Sequence, residues 1–588
     1  YKDLGNLDQA LASTLKSLEL KPDNPDALMN LGGFYKDLGN LDQALASTLK
    51  SLELKPDNPT AHMNLGGIYK DLDNLDQALA STLKSLELKP DNPTAHMNLG
   101  SIYNQLKNSE QASESFAKAY ELLPNIRNAC RAKLSFPWTL NDQDDIETLR
   151  STYIRNAEQI FKDDPQEQKQ FLELSLFALA YQNGKDDRNF LELISKLVRP
   201  YIQAESDEEL RGISGKHYTE EAQKQSTHPR VGFYFDNIKS NHVVYRHYFN
   251  FVKYCHSNGI EVVFIKGPNA AKQTSSDLES KCSQSIQLYS NLEKSVKALR
   301  NLNLNMLIYT EIFSTNVPYC LAHSRIAPIQ AVLPGNLITT GISTIDYFIS
   351  SEYVETSSSA NLYSERLIKL TGMPHGITEI PELSDRKNRS YFDLSEKSRV
   401  FGLLHNLIKF HPDWDKILEK IAKEDQEAVF LLTGKDSFQS IQLKRRWKES
   451  APNFLSKCKF YRRLDQDDYF NLLACSDIVL DPLHMGCGTT SIDALSLGIP
   501  IITKPEENPR TRIAYGLYKI MGIKNAPIAY TDLDYIKFST VLSKTSRNYS
   551  DLKLSIMSNY HKVISANQRS MHDLVSTIKM LSNPLCKP

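Results

Sequence analysis

The chain has 588 residues, 69 Lys and Arg against 70 Asp and Glu, a net charge of -1 and 41% hydrophobic residues. At about 150 residues per domain this length allows about four domains, and a near-neutral chain without a long run of one charge sign lacks the electrostatic footprint of a dedicated nucleic-acid or membrane-surface binder. The 8 cysteines show no CxxC pair and no metal-ligand spacing, which argues for reduced thiols in a cytosolic setting and no structural zinc, and no stretch approaches the roughly 18 apolar residues of a membrane span.

The chain opens on repetition. YKDLGNLDQALASTLKSLELKPDNP begins at Tyr1, recurs at Tyr35 and returns at Tyr69 with Asp73 in place of Gly, a period of 34. That is the tetratricopeptide length, and the pattern agrees: Leu31-Gly32, Tyr35, Ala44 and Pro56 return as Leu65-Gly66, Tyr69, Ala78 and Pro90, with a diverged last unit carrying Leu99-Gly100, Tyr103, Ala112, Phe116 and Pro124. Each unit is expected to be two amphipathic helices that bury their apolar faces only by stacking into a solenoid. Because the first copy begins in its second helix, further repeats are expected upstream. Asn30, Asn64 and Asn98 precede the Leu-Gly pairs at one phase; as a column of amides they are candidate contacts for the backbone of an acceptor peptide, and the competing reading is polar filler.

From 127 to 228 the period disappears while helical patterning persists, which predicts a helical connector. Short apolar runs then alternate with helical stretches. Strands are expected at 231–235, 261–265, 306–309, 329–333 and 347–349, and in a second set at 400–404, 428–432, 459–462, 478–480 and 499–503. The predicted fold is therefore an α-solenoid of tetratricopeptide repeats (1–126), then two doubly wound Rossmann-like α/β lobes (229–395 and 396–545) with closing helices from 546 to 588. Ligands of such sheets sit at the C-terminal strand ends, which places a site in the cleft between lobes.

GxGxxG and GxxxxGK[ST] are absent. Instead, Asp481-Pro482-Leu483-His484-Met485-Gly486-Cys487-Gly488-Thr489-Thr490-Ser491 follows the SDIVLD strand. Glycines let the backbone approach a ligand, and hydroxyls at a helix start add free N–H groups to the positive end of the helix dipole, an arrangement suited to phosphate. The alternative is a Thr or Ser N-cap after a glycine turn. Asp465-Gln466-Asp467 matches the metal-bridging DxD pattern, but reads better as carboxylates in the first turn of a helix.

The segments NLIKFHPD (406–413), LLACSDIVLDPLHMGCGTTSIDALSLGIPIIT (472–503), PRTRIAYGLYKIMGI (509–523) and RIAPIQAVLPGNLITTGISTIDYFISS (325–351) resemble the bacterial O-GlcNAc transferase/SPINDLY group, glycosyltransferase family 41. The resemblance runs over the whole chain and implies a repeat solenoid joined to a GT-B transferase. Its implied reaction is metal-independent transfer, with inversion, of a sugar from a nucleotide donor, UDP-GlcNAc foremost, to Ser or Thr of protein acceptors selected by the solenoid. It places Lys409 at the diphosphate-binding lysine and Gly488, Thr489 and Thr490 at the phosphate loop. Asp493 falls at the ribose-holding acid, Asn406 at the family Gln, and His242 at the active-site histidine; Tyr469 is placed to stack on the donor base, and Arg512 is a weaker diphosphate candidate. Departures are Asn336 and Leu337 on the N-terminal lobe, Leu464-Asp465-Gln466 in place of a lysine-bearing segment, and Glu506 where a turn glycine is usual, putting negative charge near a phosphate site. Two other readings stay open: a protein-binding adaptor with a decayed transferase half, and a GT-B transferase acting on glycans.

Overall fold

The computed structural model describes residues 7–141, 146–162, 169–182, 185–204, 228–236, 238, 243–268, 270, 279–335, 337–375, 385–542 and 547–582. The chain divides into two compact units, Tyr1–Trp138 and Thr139–Pro588. The expected connector is thereby split: the helix Ile126–Lys133 belongs to the repeat unit, whereas Ile146–Ile160 and Arg188–Ile202 belong to the second.

In the repeat unit, helices Pro25–Asp37, Pro59–Asp71 and Pro93–Gln105 alternate with Leu41–Leu54, Leu75–Leu88 and Ser109–Leu122. The recurring Asn-Pro dipeptide starts the first helix of each pair. Asn24, Asn58 and Asn92 each accept two backbone N–H groups of the first turn, and the following proline occupies a position whose missing N–H costs nothing. Helix crossing explains the repeated glycine: a Cβ on Gly66 would stand 2.2 Å from Thr82 Oγ1, a hydroxyl already bonded to Ala78 O at 2.8 Å.

The second unit contains, among the described residues, two entirely parallel sheets. In chain order the strands are β1 Arg230–Phe235, β2 Glu261–Lys266, β3 Gln284–Gln287, β4 Met306–Tyr309, β5 Ile329–Val332, β6 Tyr347–Ser351 and β7 Arg366–Leu370, then β8 Arg399–Gly402, β9 Ala428–Thr433, β10 Cys458–Tyr461, β11 Ile478–Leu480 and β12 Ile501–Ile502. The first sheet runs β3-β2-β1-β4-β5-β6-β7 and the second β10-β9-β8-β11-β12, the doubly wound order in which direction of travel reverses beside the first strand. Helices cover both faces, so the central strands are apolar throughout: Val231, Phe233, Tyr234 and Phe235 of β1 are all inaccessible to solvent. One core gathers Phe233, Phe251, Phe264 and Ile308; the other gathers Phe401, Trp414, Phe430 and Trp447. The last helix, His561–Leu581, returns to the first lobe and seats Leu574 and Ile578 in its core. No helix among the described residues is long and apolar enough to cross a membrane.

Candidate functional site

The two reversal points lie between β1 and β4 and between β8 and β11. Segments leaving the C-terminal ends of these strands line a cavity of about 380 Å³ between the lobes: Glu311 and Phe313 after β4, Asn406 and Lys409 after β8, and Gly486, Gly488, Thr489 and Thr490 after β11. Its size lies within the range of small-molecule sites.

Each flank of this cavity has a local cause. Asn406 Oδ1 accepts the Ile408 N–H at 3.3 Å and caps the short turn Leu407–Lys409. Lys409, thus turned inward, donates from Nζ to Gly486 O at 2.6 Å. Burial pushes its ammonium below the ordinary lysine value, while Cys487 and Asp481 oppose that shift. Asp481 organises the opposite loop, accepting the Cys487 N–H at 2.5 Å and the Thr503 hydroxyl at 2.6 Å.

The helix Gly488–Ser496 begins in the cavity wall. Its N-cap is Cys487, which makes no side-chain cap, so the alternative of a Thr or Ser cap does not hold: Thr489 Oγ1 instead meets His247 Nε2 at 3.1 Å. First-turn amides have no acceptor within their own helix, and here they lie at the dipole's positive end beside a half-buried cation, which suits an anion. A Cβ on Gly488 would meet nothing within 4 Å. Gly488→Ala is therefore expected to leave the fold intact or firmer by about 0.5–1 kcal/mol, while a methyl in the ligand's path weakens nucleoside diphosphate affinity about 5- to 100-fold. Calorimetric titration beside a melting curve checks this; unchanged affinity would move the anion away from the helix start.

The other expected residues are distributed differently. Asp493 is buried, but its carboxylate pairs with Arg246 at 2.9 Å and takes the Tyr469 hydroxyl at 3.3 Å. Neither Asp493 nor Tyr469 lines the cavity. Burial raises the Asp493 carboxyl above its usual range, with Arg246 and Tyr469 pulling it back. Arg512 binds backbone carbonyls, Val354 O at 2.9 Å and Glu506 O at 3.0 Å, and it too lies off the cavity. His242 and Asn336 fall outside the described residues; Val243, next to His242 in the chain, and Leu337 both line the cavity. Glu506 pairs with His484, Nδ1 to Oε1 at 3.2 Å, so its charge is matched. Burial alone would lower the His484 imidazolium, but its bonds to Asp413 and Glu506 outweigh this and raise it to about 9. Asp465 is the N-cap of Gln466–Ala474, accepting the Asp468 N–H at 2.8 Å, as the helix-start reading expected. Asn64 and Asn98 sit beside Gly33 and Gly67 of the preceding repeats, and Asn64 Nδ2 reaches Met29 O at 3.5 Å; Asn30 is exposed.

Comparison with known proteins bears on the same architecture. The tetratricopeptide repeat models match residues 34–73, 59–92 and 93–126. The chain is 26% identical over 267 residues to the probable UDP-N-acetylglucosamine–peptide N-acetylglucosaminyltransferase SEC of Arabidopsis thaliana, covering 42% of this chain and 24% of that protein. It is 24% identical over 256 residues to the UDP-glucose:protein N-beta-glucosyltransferase of Actinobacillus pleuropneumoniae, covering 42% and 39%. The chain thus spans well under half the length of these curated relatives. The solved structure of a mutant of the Thermobaculum terrenum O-GlcNAc transferase superposes with a TM-score of 0.67 at 16% identity, over 96% of this chain and 98% of that one. The chain shares the fold of that O-GlcNAc transferase. In this O-GlcNAc transferase-like fold, a repeat solenoid followed by two GT-B lobes, the cavity also takes in residues that sequence reasoning did not single out. His247 and buried His375 pack edge to face at 4.3 Å, and burial holds His375 down at about 4. Arg510, wholly buried, donates to Asp187 at 2.8 Å. His247 had a visible signal, being the second histidine of SNHVVYRH, five residues beyond His242 in the chain; Arg510 had none beyond its place in PRTR.

Proposed function

We propose that this protein transfers a sugar from a nucleotide-diphosphate donor to a side chain of protein acceptors. The observation that carries this reading is the convergence of half-buried Lys409 and the uncapped helix start at Thr489 and Thr490 on one inter-lobe cavity. The acceptor oxygen attacks the anomeric carbon, the bond to the diphosphate breaks, and the diphosphate leaves with the electron pair. Lys409 and the helix amides stabilise the charge growing on that leaving group; one such donor contributes about 3 kcal/mol in known sites. The acceptor proton passes to a base, for which His242, beside cavity residue Val243, is our candidate because a histidine titrates near neutrality. The donor is UDP-GlcNAc in this reading and inversion follows from in-line displacement; no metal takes part. The repeats of 1–126 select acceptors through Asn30, Asn64 and Asn98, the lobe at 396–545 holds the donor, and the setting is cytoplasmic.

The test is nucleoside diphosphate release from UDP-GlcNAc, UDP-glucose and GDP-fucose with protein or glycan acceptors. We expect turnover of one donor that requires a protein acceptor, and a drop in protein labelling, without loss of donor binding, in the Asn64→Ala, Asn98→Ala double variant. Folded protein that binds none of the three nucleotides would sink the transferase reading in favour of an adaptor, and labelling of saccharides alone would sink the protein-acceptor claim.

A further inference from the structure

We propose that His411, Asp413 and His484 bind one first-row divalent cation, with Zn²⁺ as the best match to the donor set. Their ligand atoms lie within 4.8 Å of one another, and this is the cluster of its kind among the described residues. Asp413 Oδ2 stands 2.9 Å from His484 Nε2 and 3.4 Å from His411 Nδ1. Four ligands at about 2.0–2.1 Å from a tetrahedral zinc stand about 3.3 Å apart, so closing the site takes only a small inward movement of the two rings, which already meet edge to face at 4.6 Å. Two imidazoles and one carboxylate are the ligand types that zinc accepts, with a fourth position left for water.

Two features separate this cluster from an ordinary ion pair. His411 Nδ1 accepts the Asp413 N–H at 3.2 Å, so this is the unprotonated nitrogen of the ring and it lies 3.4 Å from the Asp413 carboxylate; the cation would take over the single lone pair that now holds that N–H. The second feature lies on the far side of His484, whose Nδ1 meets Glu506 Oε2 at 3.3 Å. A carboxylate behind the second ring nitrogen is the outer partner that metal-ligating histidines usually have; Glu506 keeps the Nδ1 proton, and cation binding displaces the Nε2 proton that Asp413 holds in the free protein. Buried His411 and largely exposed Asp413 give the site one closed wall and one open to solvent.

The positions in the chain give the cation a role. His411 follows Lys409 by two residues, and His484 precedes Gly486 by two. The cation would clip together the two loops whose contact, Lys409 Nζ to Gly486 O, forms one wall of the cavity, while its own ligands lie outside the cavity lining. It takes no part in bond exchange, and the binding test below is independent of the transferase reading.

The test is titration of the chelator-treated, gel-filtered full chain with Co²⁺, followed by displacement with Zn²⁺. We expect one equivalent bound with visible ligand-field bands, lost in His484→Gln and in Asp413→Asn, and an affinity about 10- to 100-fold weaker in Glu506→Gln. Asp413 is exposed, so its variant keeps the test open if the histidine variant fails to fold. Cobalt binding of the same strength in wild type and Asp413→Asn, or bands of thiolate ligation that neither variant removes, would overturn the site.

Discussion

Lys409→Met is expected to lower donor turnover by about 10²- to 10³-fold, the usual effect of removing one preorganised donor from a developing negative charge. Methionine keeps most of the stem's volume and removes only the ammonium, so packing around Leu407 and Phe410 should persist. Lys409 is held where its charge counts. Its turn is capped by Asn406, its Nζ is fixed on Gly486 O at 2.6 Å, and it is half-buried, which lowers its ammonium below the ordinary lysine value. A desolvated cation interacts strongly with a diphosphate because little solvent screens it. The same burial means that the free protein bears a cost, visible as the lowered lysine value, which a bound diphosphate would relieve. The measurement is nucleoside diphosphate release at saturating donor beside equilibrium binding of the diphosphate. Loss of turnover with a melting temperature near wild type assigns Lys409 to the leaving group; unchanged turnover would remove it from the mechanism.

How much of this was legible in the sequence depends on where each signal is stored. The period of 34 is local and reappears in the repeat unit, whereas the Asn-Pro helix starts emerge only with the structure. All ten expected strands form, because buried parallel strands leave continuous apolar runs such as Val231–Phe235. The two that were missed, β3 and β7, are the edges of the first sheet. Gln284–Gln287 is mostly exposed, and Arg366–Leu370 buries fully only Leu370, so neither carries an apolar run to read. At the site, the Gly488-Thr489-Thr490 loop was legible from its place after a strand and Lys409 only through the family resemblance; both line the cavity. Asp493 was legible as a residue of the helix Gly488–Ser496, but its partner Arg246, 247 residues away, was not. Likewise the charge of Glu506 looked like a liability until its contact with His484 was known. Long-range pairing decides what a charged group does, and the chain order alone does not record it.

Arg510 and Arg512 put that distinction to a direct test, because they sit two residues apart in PRTR and sequence patterning cannot choose between them. Arg510 lines the cavity with no solvent exposure, donates to Asp187 at 2.8 Å, and its carbonyl accepts the Gly486 N–H at 3.0 Å. Asp187 also takes Arg150 at 2.6 Å, so the carboxylate is shared by two guanidinium groups. Arg510→Met leaves a buried carboxylate short of one cation, and removal of one partner from a buried pair costs about 3–5 kcal/mol; with Arg150 still present, we expect the lower end, about 3 kcal/mol. Arg512 bonds only backbone carbonyls and stacks over Tyr515 at 4.6 Å, so Arg512→Ala should cost about 1 kcal/mol and leave diphosphate affinity within about twofold. Denaturation midpoints and diphosphate titrations of the two variants decide the matter. A stable Arg510→Met with full affinity, beside an Arg512→Ala that no longer binds, would reverse the assignment and return Arg512 to the phosphate site.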